Sequence, residues 1–210
     1  FRTEEYQRFF ALPLTKARAR FYMVQRATFM LGRRACWAYV QARAPFDVKQ
    51  LIWHHEEDEL AGSKERGVAD HYTLGILEGR TVGLKKSDFT RLKPCEGSQI
   101  CSYAWQHAAD RLPWLGGTAL LGGLEIANAD GIIKGGGMSH RMAHKLQDDL
   151  RTVLKKQRLA KVVSVFRESL EATNAIGAGR RHLVLFEGAQ TVCVCVCVCA
   201  ASCINLQTVI

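Results

Sequence analysis

The stretch from Ile52 to Leu74, IWHHEEDELAGSKERGVADHYTL, concentrates imidazole and carboxylate groups. On a helix, His55 and Glu59 are four apart and share a face, and Glu56 and Glu59 are three apart. His54, Glu57 and Asp58 must then point elsewhere. Carboxylate and imidazole on one helical face can hold non-haem iron, and they can equally make a charged, solvated surface. His71 follows Glu59 by twelve residues, a rise of roughly 18 Å on a straight helix. One metal ion could not bridge that distance, so the glycine-bearing AGSKERG break must fold His71 back. A second candidate is Glu125 in WLGGTALLGGLEIAN, a lone carboxylate among Leu120, Leu121, Leu124 and Ile126. Buried there, it needs a cation, a proton or a metal as partner; at a polar seam it would reach solvent. A third is SHRMAHKLQDD, where His140, His144 and Asp148 stand four apart along one stripe. That is metal-ligand spacing, but Arg141 and Lys145 beside it favour an exposed face.

The elements that must position these groups read as helices. Few runs alternate apolar and polar residues, so strands are scarce and the expected class is all-α: a compact bundle of about seven helices. Helical spacing covers residues 4–31, broken at Pro13 with Thr15 as N-cap, and continues over 32–43. Asp47 caps a helix running to about Leu60, and helix resumes from Val68 to about Gly79. Ser87 caps a short helix. Further helices are expected over 98–112, from Pro113 to the glycines at 135–137, over 139–157 and over 160–188.

The chain has 210 residues, 48% of them hydrophobic, which suits one domain with a real core. It opens on Phe1 and is read as a portion of something longer. There is no apolar run of eighteen residues and no signal-peptide pattern, so no membrane partner is expected. The formal net charge is +9, but the basic residues are scattered without aromatic interleaving, and no nucleic-acid partner is expected. Of eight cysteines, only Cys36, Cys95 and Cys101 lie outside the last eighteen residues. With no CxxC, this favours a reducing intracellular compartment. The sequence divides into a helical domain over 1–188 and a low-complexity tail over 189–210. TVCVCVCVC in that tail is what a GT-repeat DNA would encode, so the tail need not be native; as protein it reads as a strand or a disordered end.

Taken in order, YQRFFALPLTKARARFYMVQ, IWHHEEDELAG…DHYTL and GGLEIAN resemble the haem-oxygenase-like diiron oxidases and oxygenases. These iron-containing redox enzymes are relatives of the thiaminase-like and pyrroloquinoline-quinone-synthase-like helical proteins. The resemblance covers roughly residues 1–185. It implies a haem-oxygenase-like bundle and iron held by Glu59 and His71 from the first motif and Glu125 from the second, with His55, Glu56, His140, His144 and Asp148 as weaker candidates. It implies O2 and a small organic acid or amine as co-substrates, Arg33 or Arg34 meeting a substrate carboxylate, and a possible homodimer or larger assembly. The family's third motif, His-x-x-x-Asp-x-x-His, should fall in VFRESLEATNAIGAGRR, where Ser169, Thr173 and Ile176 stand instead. Three ligands suffice for one iron and are too few for two. The alternatives are therefore a non-haem iron oxidase or oxygenase, a metal-free helical binding or structural subunit that lost the third motif, and a cofactor-free oxidase of the quinone-synthase type.

Overall fold

The computed structural model describes residues 4–163 apart from 66, 92, 129–135 and 162. Among these residues eight named helices form, followed by further helical residues from 156, and the only pairing of extended backbone is an isolated bridge between Ser63 and Val68. The molecule is all-α.

Helix α1 (Glu4–Ala11) stops ahead of Pro13, which cannot donate to a continuing ladder. Thr15 then starts α2 (Lys16–Arg43), its hydroxyl accepting the Arg18 N–H at 3.3 Å. At 28 residues α2 is about 42 Å long and is the spine of the bundle. Helices α3 (Phe46–Ala61), α4 (His71–Thr81), α5 (Lys86–Thr90), α6 (Glu96–Arg111) and α7 (Trp114–Asn128) all pack against it. Arg43, in its last turn, donates to the Ala109 and Asp110 carbonyls at the end of α6. Helix α8 (Met138–Leu150) contacts α7 and closes the other end. There Asp149 accepts the Leu14 N–H at 2.8 Å, and Lys145 donates to the Phe10 carbonyl at 2.8 Å. The chain break around Pro13 is thus held by side chains from α8.

Several boundaries differ from the expected ones, each for a local reason. Helix α3 starts at Phe46, so Asp47 lies in its first turn, where it still faces the positive end of the helix dipole. Helix α4 starts at His71 because Asp70 accepts the Thr73 N–H at 2.8 Å. Helix α5 is capped at Lys85, whose N–H donates to Asp88 at 2.7 Å, and Ser87 sits inside it. Helix α8 ends at Leu150, and a new helical turn begins at 156. Nearly all of the helix expected over 160–188, with Ser169, Thr173 and Ile176, lies outside the described residues, as do the boundary at 188 and the 189–210 tail.

Two apolar clusters share α2. Its first half packs Ala19, Met23, Val24 and Ala27 with Phe9, Ile76, Met142, Leu146 and Leu150. Its second half packs Cys36, Trp37 and Val40 with Ile52, Trp105, Leu121 and Leu124. Between them α2 presents Arg33 and Arg34.

Candidate functional site

His71 does return to Glu59. Gly62 (φ +69°) and Gly67 (φ +65°) sit in the left-handed region, and Ser63 and Val68 exchange two backbone hydrogen bonds of 2.9 Å. This short reversal turns the chain straight back. Only glycine fits at 62: a Cβ there would lie 2.6 Å from the Ala69 carbonyl carbon. The result is a 2.7 Å contact from His71 Nδ1 to Glu59 Oε2, with both side chains buried. Glu59 thereby accepts the Nδ1–H of His71 and fixes the orientation of the ring.

The neighbouring groups form one connected cluster. Arg34 Nη1 reaches Glu56 Oε1 at 2.7 Å and Glu59 Oε2 at 2.9 Å. Arg33 pairs directly with Glu125. His55 Nε2 lies 3.6 Å from Glu56 and 3.8 Å from Glu125, and its ring meets Trp37 edge-on at 5.2 Å. Glu59, His71 and Glu125 thus enter the same buried region, Glu59 and His71 in contact and Glu125 joined to them through Arg33, His55 and Glu56. His54 and Glu57 point outward, with side chains 74% and 64% exposed. On α8, His140 and His144 face each other edge-on at 4.4 Å between centroids, but His144 and Asp148 are exposed and none of the three joins the cluster.

Electrostatics in this cluster follow from burial and the two guanidiniums. Burial raises the Glu56 carboxyl to about 7, Glu59 adding to the effect and Arg34 opposing it. Burial also pushes Glu59 upward, but the His71 hydrogen bond and the charges of His71, Arg34 and Arg33 outweigh it and hold Glu59 at about 2. Burial lowers His55 to about 3, with Arg33 and Arg34 adding to it against the pull of Glu59, so this imidazole is neutral. Two turns nearer the N-terminus of α2, Arg26 and Glu78 form a further buried pair at 2.5 Å.

The resemblance implies that Arg33 or Arg34 meets a substrate carboxylate. In the structure they meet the protein's own carboxylates. A signal for this exists in the sequence: Arg33 occupies a helical stripe with Trp37 and Val40, both buried, so a charge there must find a partner inside.

Iron, which the resemblance implies, does not fit the described donors. Among the described residues no three His, Cys, Asp or Glu side chains gather so as to hold a metal ion. The space between the carboxylates is filled by guanidinium groups. Two arginines facing three glutamates already supply most of the positive charge those carboxylates need.

No protein-family model matches the sequence, and no curated protein matches it. The structure is similar to that of a domain of unknown function with a haem oxygenase-like fold from Shewanella denitrificans. The TM-score is 0.65 at 12% identity, over 99% of this chain and 85% of that one. The chain therefore has a haem-oxygenase-like fold. Among the described residues, no helix is long and apolar enough to cross a membrane.

Proposed function

We propose that this chain is a metal-free helical binding or structural subunit built on the haem-oxygenase-like fold. One observation carries the reading: Arg33 and Arg34 insert between Glu56, Glu59 and Glu125, where a cation would otherwise be required. A buried guanidinium satisfies carboxylates with several directed donors, so the cluster holds α2, α3, α4 and α7 in register without an ion. The test is iron content after anaerobic reconstitution with Fe(II), read beside thermal unfolding. The expected result is less than about a tenth of an equivalent of iron and no change in melting temperature, because a ligand of the native state would raise it. A stoichiometric iron content that raises the melting temperature overturns the proposal.

A second reading is a non-haem iron oxidase or oxygenase acting with O2 on a small organic acid or amine. It is favoured by the Nε2 atoms of His55 and His71, both buried and without a hydrogen-bond partner among the described residues. Both arginines would have to leave the carboxylates for it to hold. The same reconstitution decides it: under this reading Glu125→Ala lowers the iron content, and under the first it leaves a near-zero value unchanged.

A further inference from the structure

On the first half of α2, far from the buried cluster, Arg20, Phe21 and Val24 stand on one helical face. Opposite them Leu84, Ser87, Asp88 and Arg91 recur three and four apart along the turn before α5 and α5 itself. Together these residues line a groove of about 360 Å³. That volume lies at the small end of the range of ligand sites, about 300–1,000 Å³. Its floor is apolar: Val24 and Leu84 are buried beneath it and Phe21 is half-buried. Its rim is cationic. Arg20 and Arg91 form no ion pair with any described residue, and Asp88, the carboxylate between them, already accepts the Lys85 N–H at 2.7 Å. A Cβ built on Gly83, next to the lining residue Leu84, would lie 3.7 Å from Arg20 Nη1 and 3.9 Å from Lys16 Nζ. The Lys16 and Arg20 heads therefore converge on the same edge. Two lining guanidiniums, with Lys16 beside Arg20, against the single carboxylate of Asp88 over an apolar floor form a recognisable combination. The formal charge of +9 gives the whole molecule a field of the same sign.

We propose that this groove binds a small amphipathic anion, its short apolar body on Phe21, Val24 and Leu84 and its acidic head between Arg20 and Arg91. The head is a carboxylate or a phosphate monoester, since guanidinium groups accept either through paired hydrogen bonds. The thirteen residues from Arg20 to Arg33 correspond to about 20 Å along α2, so the site is independent of the buried cluster and of whether that cluster takes iron.

The experiment is calorimetric titration of the full chain with hexyl phosphate and with hexanoate, each below its aggregation concentration, with hexanol and inorganic phosphate as half-ligands. The expected result is saturable one-to-one binding of at least one of the acids. Each half-ligand binds at least tenfold more weakly than that acid. The double variant Arg20→Gln, Arg91→Gln loses at least tenfold in affinity, and Ser87→Trp, which fills the groove from its rim, abolishes binding while leaving the circular dichroism spectrum unchanged. Preference for hexyl phosphate assigns a phosphate head, preference for hexanoate a carboxylate, and equal binding an acidic head of either kind. The proposal is overturned if neither acid binds, if hexanol binds as well as the acids do, or if the double variant or Ser87→Trp keeps the parent affinity.

Discussion

Replacing Arg34 with methionine tests the buried cluster most directly. The Arg34 side chain is only 14% exposed and contacts Glu56 and Glu59 through one nitrogen, at 2.7 and 2.9 Å. Methionine keeps most of the stem packing and removes the charge. Glu59, 7% exposed, then keeps the His71 hydrogen bond and the more distant Arg33 guanidinium. Removing one partner of a buried ion pair costs about 3–5 kcal/mol, because the other charge stays buried without compensation. At about 2–4 °C per kcal/mol for a domain of this size, the melting temperature should fall by on the order of 10 °C. The assay is urea and thermal unfolding at pH 7 followed by circular dichroism. A triple variant, Arg34→Met with Glu56→Gln and Glu59→Gln, removes the stranded charges and should recover at least half of the loss. If Arg34→Met unfolds within about 1 kcal/mol of the parent, Arg34 is not compensating buried carboxylates and the electrostatic account of the site is wrong.

Glu56→Gln should show a pH signature. A carboxyl raised in the folded state, here to about 7 from 4.5, contributes stability below pH 4.5 that is lost as pH rises through 7, so the variant should gain on the parent by up to about 3 kcal/mol between pH 4.5 and 8. Glu59 and His55, lowered to about 2 and about 3, act at the other end: the parent should lose stability as pH falls from 6.5 through 3, and His55→Phe should flatten the upper part of that slope in urea titrations. Gly62→Ala should cost about 2 kcal/mol or more, measured by urea midpoint, since it combines a left-handed backbone with a clash against the 68–70 strand of the turn. Gly117 lies against Val40, and a Cβ there would stand 2.6 Å from Val40 Cγ2. Gly117→Ala should therefore cost about 1–3 kcal/mol alone and less in a Val40→Ala background, a coupling that a double-mutant cycle reads directly.

Much of the helical layout is legible in the sequence, because the punctuation is local. Pro13, Thr15 and Pro113 mark breaks within a residue or two of where the chain turns, and Gly62 and Gly67 announce the reversal that His71 requires. Boundaries set by less obvious caps shift: Asp70, not Val68, determines where α4 begins. The candidate site is legible only on its acidic side. Glu59 and His71 could be paired by reasoning about the turn between them. Arg33 and Arg34 could not be matched to partners, because Glu125 is 92 residues beyond Arg33, and sequence spacing carries no information about contacts made through tertiary packing. The stripe on α8 has ligand spacing, but His144 and Asp148 face water, since periodicity alone does not say which side of a helix is inward.

The division of the apolar interior has a consequence for how the molecule breathes. The Phe9–Leu146 cluster and the Trp37–Trp105 cluster are joined by the long helix α2, by the packing of α7 on α8 and α3 on α4, and by the charged seam that crosses α2 at Arg33 and Arg34. Apolar cohesion, which does not respond to pH, operates within each half; across the junction an ionic contribution is added that does. Cooperativity between the two ends of this protein is therefore adjustable by hydrogen-ion concentration. Amide exchange should find one unfolding unit near neutrality and two as the glutamates of the seam are neutralised in acid.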